Sequence, residues 1–472
     1  MNSPKLDIYC LAIGGTGMAP LACLLQEQGH RVRGTDGPLY PPMSTLLERA
    51  GIQPLVGYDA AHLEPRPGLV VIGNAIRRDN PEAVEAERLG LEIVSMPQAL
   101  ARFFLSHHRP LVVAGTHGKT TTTAMGAWVY TACGRDPGYL IGGAPCDLAG
   151  SFHDGAGDRF VIEGDEYNAA YFDRGPKFLH YRPETLLLTS AEYDHADLYA
   201  TPEALWEAYG KLIALLPPDG LLVACGDTPK VRELAAGARC RVLFYGLDEA
   251  NELCPVGGEA GIEALPEGSR FRLRDAEAGE VEVVLPLAGG HNVANALAVW
   301  GAARRDGIPA GELAAAFGRF HGVKRRLEEL GTERGITVVD DFAHHPTAVE
   351  KTLTALRQRY PGRRVVALFE PRSLTAGRRF FFDPYREAFA GADRVLFAPI
   401  FHNGRLAPEE RLDFGALAQA LSAGGVPATV CADNADVLRH ALDEATDGSV
   451  LVTMSSGSFE GMPQRLVEAL RG

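Results

Sequence analysis

Lys119 and Thr120 stand in the stretch Leu111–Thr123, LVVAGTHGKTTTT, directly behind Gly115 and Gly118. An ammonium and a hydroxyl at adjacent positions behind a glycine turn suit the outer phosphates and the Mg²⁺ of a nucleoside triphosphate. The apolar residues Leu111 to Val113 predict a buried strand, and the threonine run can open a helix. That order converges backbone N–H groups on one point at the positive end of a helix dipole. Val113 stands where the full phosphate-loop pattern has its first glycine, so the loop is a shortened one.

Two more runs end in groups that a metal accepts. RFVIEGDE (159–166) ends in Glu163, Asp165 and Glu166, and carboxylate oxygens suit Mg²⁺. TLLLTSAEYDHADLY (185–199) ends in Glu192, Asp194, His195 and Asp197. A histidine in an acid-rich loop at a strand's end is a candidate metal ligand, whereas His107, His108 and His180 lack that setting.

These groups need elements to position them. In the first part of the chain, 7–13 reads as a strand, Gly14-Gly15-Thr16-Gly17-Met18 as a turn, 19–28 as a helix and RVRGTD (31–36) as a strand ending in Asp36. That is a dinucleotide-type cradle without its third glycine, because Pro20 occupies the place; it predicts pyrophosphate binding, with NAD as one option. LVVIGNAI (69–76) is a strand reaching Asn74, and EIVSM (92–96) is another. Beyond the acid-tipped strands, helices at 202–215 and 228–236 flank a strand at 221–224. From about 240 to 287 charges alternate with apolar residues, which predicts a small antiparallel sheet. GGHNVANALAVWGAA (289–303) then predicts a turn and helix, with His291, Asn292 and Asn295 placed either to read a base or to cap the helix. GVKRRLEEL (322–330) reads as a charged hinge into five further strands, at 336–340, 365–370, 394–399, 428–432 and 450–454, alternating with helices and therefore parallel. Three of their ends are polar in the same sense: Asp340-Asp341 with His344-His345, Glu370 to Ser373, and Ser455 to Ser458. They predict one wall of a cleft, although Asp340-Asp341 can also serve a local turn.

The 472 residues predict an α/β protein of three domains, at 1–106, 107–325 and 326–472, and 46% apolar residues supply the cores. A net charge of −14 argues against nucleic acid or an anionic membrane as the main partner. Eight scattered cysteines without a paired spacing read as reduced and mostly buried, which predicts a cytoplasmic protein. The N-terminal stretch reaches glycine too soon for a signal peptide, and no apolar run is long enough for a bilayer.

The segments GGTGM (14–18), GTHGKTTT (115–122), EGDE (163–166), YDHAD (193–197), HNVANALA (291–298), KRRLE (324–328) and DDFAHHPT (340–347) together resemble the Mur ligase family almost end to end. GGTGM and DDFAHHPT are similar to its UDP-N-acetylmuramate–L-alanine ligase branch. YPPMSTLLERAGI (40–52), VIGNAIRRDNPEA (71–83), EYNAAYFDRGPKFLHYRPETLLL (166–188), EPRSLT (370–375) and MSSGSFEGM (454–462) are similar to its recycling branch, the murein peptide ligases. The resemblance implies a Rossmann-like domain for the UDP sugar, a central ATP-binding domain and a C-terminal Rossmann-like domain that closes on ATP and peptide. It implies ATP and Mg²⁺, with UDP-N-acetylmuramate and the murein tripeptide as substrates.

By motif position, it implies that Lys119 steadies the transferring phosphoryl group and that Thr120, Glu163 and His195 hold metal. Gly115, Thr116, His117, Gly118 and Thr121 would join them around ATP, with His291, Asn292 and Asn295 at the adenine and Arg326, Asp341 and His345 arriving from the third domain. Gly14, Gly15, Thr16, Gly17 and Met18 would hold the UDP diphosphate beside Asp36 and Asn74. Arg372, with Ser373, would meet a peptide carboxylate, and Lys211 is a candidate for the carbamylated lysine of some relatives. A nicotinamide dehydrogenase and an ATP-driven transport module are the rival readings; both leave part of this set unused.

Overall fold

The computed structural model describes residues 5–40, 42–401 and 406–471. Three α/β layers follow one another along the chain. The first sheet holds β1 (Asp7–Leu11), β2 (Arg31–Asp36), β3 (Leu55–Val56), β4 (Leu69–Ile72) and β5 (Ile93–Ser95), all parallel, in the order β3-β2-β1-β4-β5. The chain leaves β1 to one side and returns at β4 on the other, so β1 and β4 flank a crevice at their carboxyl ends. The helix Met18–Glu27 covers β1 and stops where Gly29 takes a positive φ of 83°.

The central sheet contains β6 (Arg109–Ala114), β7 (Gly138–Leu140), β8 (Phe152–His153), β9 (Arg159–Gly164), β10 (Thr185–Leu188), β11 (Leu221–Cys225) and β12 (Arg241–Tyr245). Its order is β12-β11-β10-β6-β9-β7-β8, parallel except at β8. β6 lies between β10 and β9, with Ala114 in register with Leu188 and Gly164. Three carboxyl ends therefore open at one height. The antiparallel sheet is smaller than expected: β12 belongs to the parallel sheet, and only β13 (Glu263–Leu265), β14 (Gly268–Asp275) and β15 (Gly279–Leu285) form the meander. The helices Lys119–Ala132 and Gly290–Arg305 fill the core between the two sheets.

In the third layer β16 (Glu328–Glu333), β17 (Ile336–Asp341), β18 (Val365–Phe369), β19 (Arg394–Phe397), β20 (Ala428–Val430) and β21 (Val450–Met454) run β16-β17-β21-β18-β19-β20. The expectation of a wholly parallel sheet fails at one edge. The charged segment read as a hinge continues into β16, which pairs antiparallel with β17. Before it, Pro145 bridges Val323, Lys324 N–H donates to the Ala144 carbonyl at 2.9 Å, and Cys146 N–H donates to Gly322 at 3.0 Å. Arg325 and Leu327 follow with φ of 61° and 52°.

The first two layers share one continuous core, in which Phe104 meets Phe160 at 6.3 Å between ring centres. The stretch after β9 adds a clasp: Tyr171 donates to Glu87 at 2.7 Å, and the Ser95 hydroxyl donates to Asp173 at 2.9 Å. Among the cysteines only four are buried and Cys146 is exposed, a lower share than composition suggests; all eight are free. No helix among the described residues is long and apolar enough to cross a membrane.

At the amino ends of β6 and β9 lies a buried ionic knot. The Arg159 guanidinium, 2% exposed, donates to Asp306 through Nε at 2.6 Å, Tyr130 donates to the same carboxylate, and Arg109 joins at 3.3 Å. Removing one partner from such a set leaves uncompensated buried charge. Arg159→Met is therefore expected to lower stability by about 3–5 kcal/mol. Chemical denaturation followed by tryptophan fluorescence checks this, and an unmoved midpoint would dismiss the knot as a structural anchor.

Candidate active site

The phosphate-loop segment leaves β6 at Ala114 and turns through Gly115 and Gly118, whose φ values are 129° and 80°. Gly118 caps the helix Lys119–Ala132 in the left-handed region, and a Cβ there would lie 2.9 Å from the Asn295 side-chain oxygen. The loop is braced from β10: Ser190 Oγ accepts the His117 N–H at 2.9 Å, and Thr116 Oγ1 donates to the Glu192 carbonyl at 2.8 Å. Thr121 is buried in the first turn of the helix.

Lys119 Nζ donates to the Gly115 carbonyl at 2.7 Å and to both oxygens of Glu166 at 2.9 Å. Burial would push this amine down, but the charges of Glu166 and Glu163 outweigh it and keep the ammonium protonated. Glu166 also accepts the Tyr209 hydroxyl at 2.7 Å, so it is fully engaged. The sequence pointed to three acids at the end of β9 without distinguishing the one that holds the lysine.

Glu163 takes the other role. Its Oε1 accepts the Thr120 hydroxyl and its Oε2 the Gly142 N–H, each at 2.9 Å. The backbone comes this close because residue 142 is glycine; a Cβ would sit 2.6 Å from the carboxylate. Desolvation pushes the Glu163 carboxyl above its ordinary range, against the pull of Lys119 and Thr120. An under-compensated carboxylate beside a hydroxyl is an oxygen donor set that fits Mg²⁺. His195 is placed elsewhere, with Nε2 3.9 Å from Glu166 and its ring 4.6 Å from Tyr167. It stands beside the lysine's partner, near the oxygen that Lys119 also contacts.

The helix Gly290–Arg305 presents His291, Asn292 and Asn295. The amides do not cap it: Asn292 Nδ2 donates to the Ala288 carbonyl at 2.8 Å, and Asn295 Nδ2 to Asn292 at 3.4 Å. Burial pushes His291 down to about 3. From the third layer Arg326 reaches Thr120 Oγ1 at 3.5 Å and stacks 4.7 Å from the Phe342 ring. Asp341 is occupied with bracing, since it accepts Leu327 N–H at 2.7 Å and Ala343 N–H at 2.8 Å. His345 caps its helix by accepting the Thr347 N–H, and burial pushes it down to about 3. Lys211 is exposed and paired with Glu207 at 2.8 Å, which removes it from the site.

In the first layer the Asp36 carboxylate accepts the N–H groups of Gly14 at 2.8 Å and Gly37 at 2.7 Å, holding the turn in shape. Gly15 and Gly17 lie in the turn, Thr16 is exposed, and Met18 begins a helix with no side-chain cap. Asn74 is exposed just beyond β4, across the crevice.

A cavity of about 190 Å³ opens between the central and third layers, lined by Tyr167, Asp194, His195, Asp197, His344, Ser373, Leu374 and Thr375. Ala196 N–H donates to Thr375 Oγ1 at 3.2 Å across the boundary. Beside it Arg372 lies 3.7 Å from Glu370 and 3.8 Å from the Phe401 ring, and Ser455 donates to Glu370 at 2.5 Å. The three strand ends read as one wall do meet, because β21 lies between β17 and β18. Tyr167 and Thr375 were not foreseen as lining residues.

Comparison with known proteins decides the family. Residues 7–108 match the catalytic domain of the Mur ligase family, 113–303 the Mur ligase middle domain and 325–457 the Mur ligase glutamate ligase domain. The chain is 38% identical, over 98% of both chains, to the UDP-N-acetylmuramate–L-alanyl-γ-D-glutamyl-meso-2,6-diaminoheptandioate ligase of Escherichia coli. The chain belongs to the Mur ligase family. As a Mur ligase it is an ATP-dependent, ADP-forming enzyme. It is also 37% identical to the UDP-N-acetylmuramate–L-alanine ligase of Rubrobacter xylanophilus, over 85% of this chain and 86% of the other. A crystal structure of a murein peptide ligase from Psychrobacter arcticus superposes with a TM-score of 0.72 at 34% identity, covering 99% of each chain.

For a Mur ligase with this geometry, Lys119→Ala is expected to lower turnover by about 10²–10³-fold, the usual cost of one preorganised charge-stabilising donor. Glu166→Gln should lower turnover less, because the ammonium remains but loses its anchor. Steady-state kinetics at saturating ATP reads both, and a Lys119→Ala enzyme of normal turnover would sink the assignment.

Proposed function

We propose that this enzyme joins UDP-N-acetylmuramate to the tripeptide L-alanyl-γ-D-glutamyl-meso-diaminopimelate, in the recycling of peptidoglycan in the cytoplasm. One observation carries the choice of substrate. Tyr167, from the extended stretch 166–188 that resembles the recycling branch, stands in the wall of the cavity between the central and third layers. The identity to the Escherichia coli tripeptide ligase over nearly the whole chain supports the same reading. The second reading, ligation of L-alanine, is favoured by GGTGM, DDFAHHPT and the Rubrobacter relative.

A carboxylate is a poor electrophile, so the muramate carboxyl is first activated. Its oxygen takes the γ-phosphoryl group of ATP, giving an acyl phosphate and ADP. The peptide's α-amine then attacks the acyl carbon, loses a proton, and the tetrahedral intermediate expels inorganic phosphate as the amide forms. The protein supplies position and fixed charge for both steps. Lys119 meets the phosphoryl group, and Arg326 approaches from the third domain. Thr120 and Glu163 would hold Mg²⁺, and His195, beside Glu166, would serve as a ligand in a two-metal arrangement; the contribution of the ions there is to neutralise phosphate charge. Gly115 to Gly118 and Thr121 would surround the phosphates, and His291, Asn292 and Asn295 the adenine. Asp341 and His345 act through the loop that they brace. The Gly14–Met18 turn, kept open by Asp36, takes the UDP diphosphate at an uncapped helix N-terminus, with Asn74 opposite. Arg372 and Ser373 take a peptide carboxylate. The domains bounded at 106 and 325 divide these tasks as UDP-sugar binding, ATP binding, and closure over ATP and peptide.

Purified enzyme with ATP, Mg²⁺ and UDP-N-acetylmuramate is expected to release phosphate and form UDP-muramyl-tripeptide with the tripeptide but not with L-alanine, as read by mass spectrometry. Product from L-alanine alone would replace this reading with the second one. Arg372→Ala should raise the KM for tripeptide by about 10–100-fold, the value of a charged hydrogen bond of about 1.5–3 kcal/mol, with little change for ATP. Equal rises for both would remove Arg372 from the peptide site.

A further inference from the structure

Apart from the Thr120–Glu163 pair, three ligand-type side chains converge from three segments. His117 comes from the phosphate loop, Glu192 from the loop after β10, and His345 from the first cap of the helix Pro346–Arg359. His117 Nε2 lies 3.3 Å from Glu192 Oε2, and His345 Nδ1 lies 3.7 Å from the same oxygen. One ligand atom from each residue lies within 4.8 Å of the other two, and the imidazole rings are 4.5 Å apart at their centres. A four-coordinate cation with bonds near 2.0–2.2 Å sets its ligand atoms about 3.3–3.6 Å apart. The carboxylate oxygen already has nearly that spacing to both imidazoles. As hydrogen bonds the same contacts are slack, since charge-assisted N–H···O bonds close to about 2.7–2.9 Å.

His345 is 5% exposed, and burial pushes its imidazole down to about 3, so the ring is neutral. Its Nε2 has no hydrogen-bond partner, and its Nδ1 accepts the Thr347 N–H at 3.3 Å, so a cation on either nitrogen replaces that cap. Glu192 is held down at about 2, since hydrogen bonding and charge from His117 and a hydrogen bond from the Thr347 hydroxyl at 2.5 Å outweigh its burial, which leaves an ionised carboxylate. Two imidazole nitrogens with one carboxylate oxygen select zinc, cobalt or nickel over Mg²⁺, which wants an all-oxygen shell.

We propose that His117, Glu192 and His345 form a site for a zinc-class divalent cation, separate from the Mg²⁺ position, whose occupancy fastens the phosphate loop to the third domain and inhibits turnover. The fourth ligand position is left for water or a phosphate oxygen, since His117 is part of the loop. Bridging two domains with one ion would hold them in a single relation through every step of the cycle, including product release.

Cobalt(II) titrated into the full-length enzyme tests the site independently of any substrate. Visible d–d bands of a tetrahedral site are expected at one equivalent, unchanged by excess Mg²⁺. They should disappear in both Glu192→Gln and His345→Gln, with circular dichroism confirming that each variant is folded, and persist in Glu163→Gln. Should one variant fail to fold, the other decides. Absence of the bands in the wild type, or their survival in a folded Glu192→Gln or His345→Gln, would overturn the proposal. Loss of the bands in Glu163→Gln or His195→Gln would also overturn it by placing cobalt at the Mg²⁺ position. Loss in Cys431→Ala would place it instead at Cys431, Asp436 and His440, the other cluster of ligand type among the described residues. In assays saturated with Mg²⁺, zinc should inhibit the wild type, and its inhibition constant should rise by about tenfold or more in Glu192→Gln. Equal sensitivity of the two enzymes would overturn the inhibitory role.

Discussion

The site depends on keeping one ammonium charged inside the protein. Lys119 is enclosed by its loop and by the ends of β6 and β9, a setting that disfavours charge unless a partner is present. Glu166 is that partner, and the Tyr209 hydroxyl fixes the partner in turn. A buried pair of this kind contributes little net stability, because desolvation consumes most of the attraction. Its value is positional. The lysine is held charged between the Gly115 carbonyl and Glu166, and the neighbouring Glu163 is left under-compensated, in want of a cation.

The fold itself was largely legible. Strands such as β6, β18 and β21 are covered on both faces, so they read as unbroken apolar runs such as VVALF and VLVTM. What failed were elements whose composition reflects exposure. β16, EELGTE, is a half-exposed edge strand whose charges read as a hinge. β3 and β8 are two residues each, too short to leave a pattern. β12 was grouped with the meander because its neighbours share alternating charge, although its pairing partner is β11.

The candidate site was legible by type more than by arrangement. EGDE offers three acids, and only the break after Gly164 decides that Glu163 faces Thr120 while Glu166 faces Lys119. Asp341, which the resemblance places around ATP, accepts two backbone N–H groups, a use common for aspartates at strand ends. Glu192 was visible as one acid among several, but His345, far along the chain, joins it only through the docking of the third layer. Pairings made by tertiary packing leave no spacing to read.

The link between the central and third layers has a mechanical consequence. Gly322 to Lys324 is stitched to Ala144–Cys146 by a backbone bridge and two hydrogen bonds, so this part of the link moves as a piece of the central layer. The next residues, Arg325 and Leu327, hold the left-handed conformations that side chains resist. Any swing of the third layer must therefore take its axis beyond Lys324, through these two strained positions. Arg326, between them, would then sit nearly on the pivot, where a large rotation of the layer carries its guanidinium only a short way from Thr120.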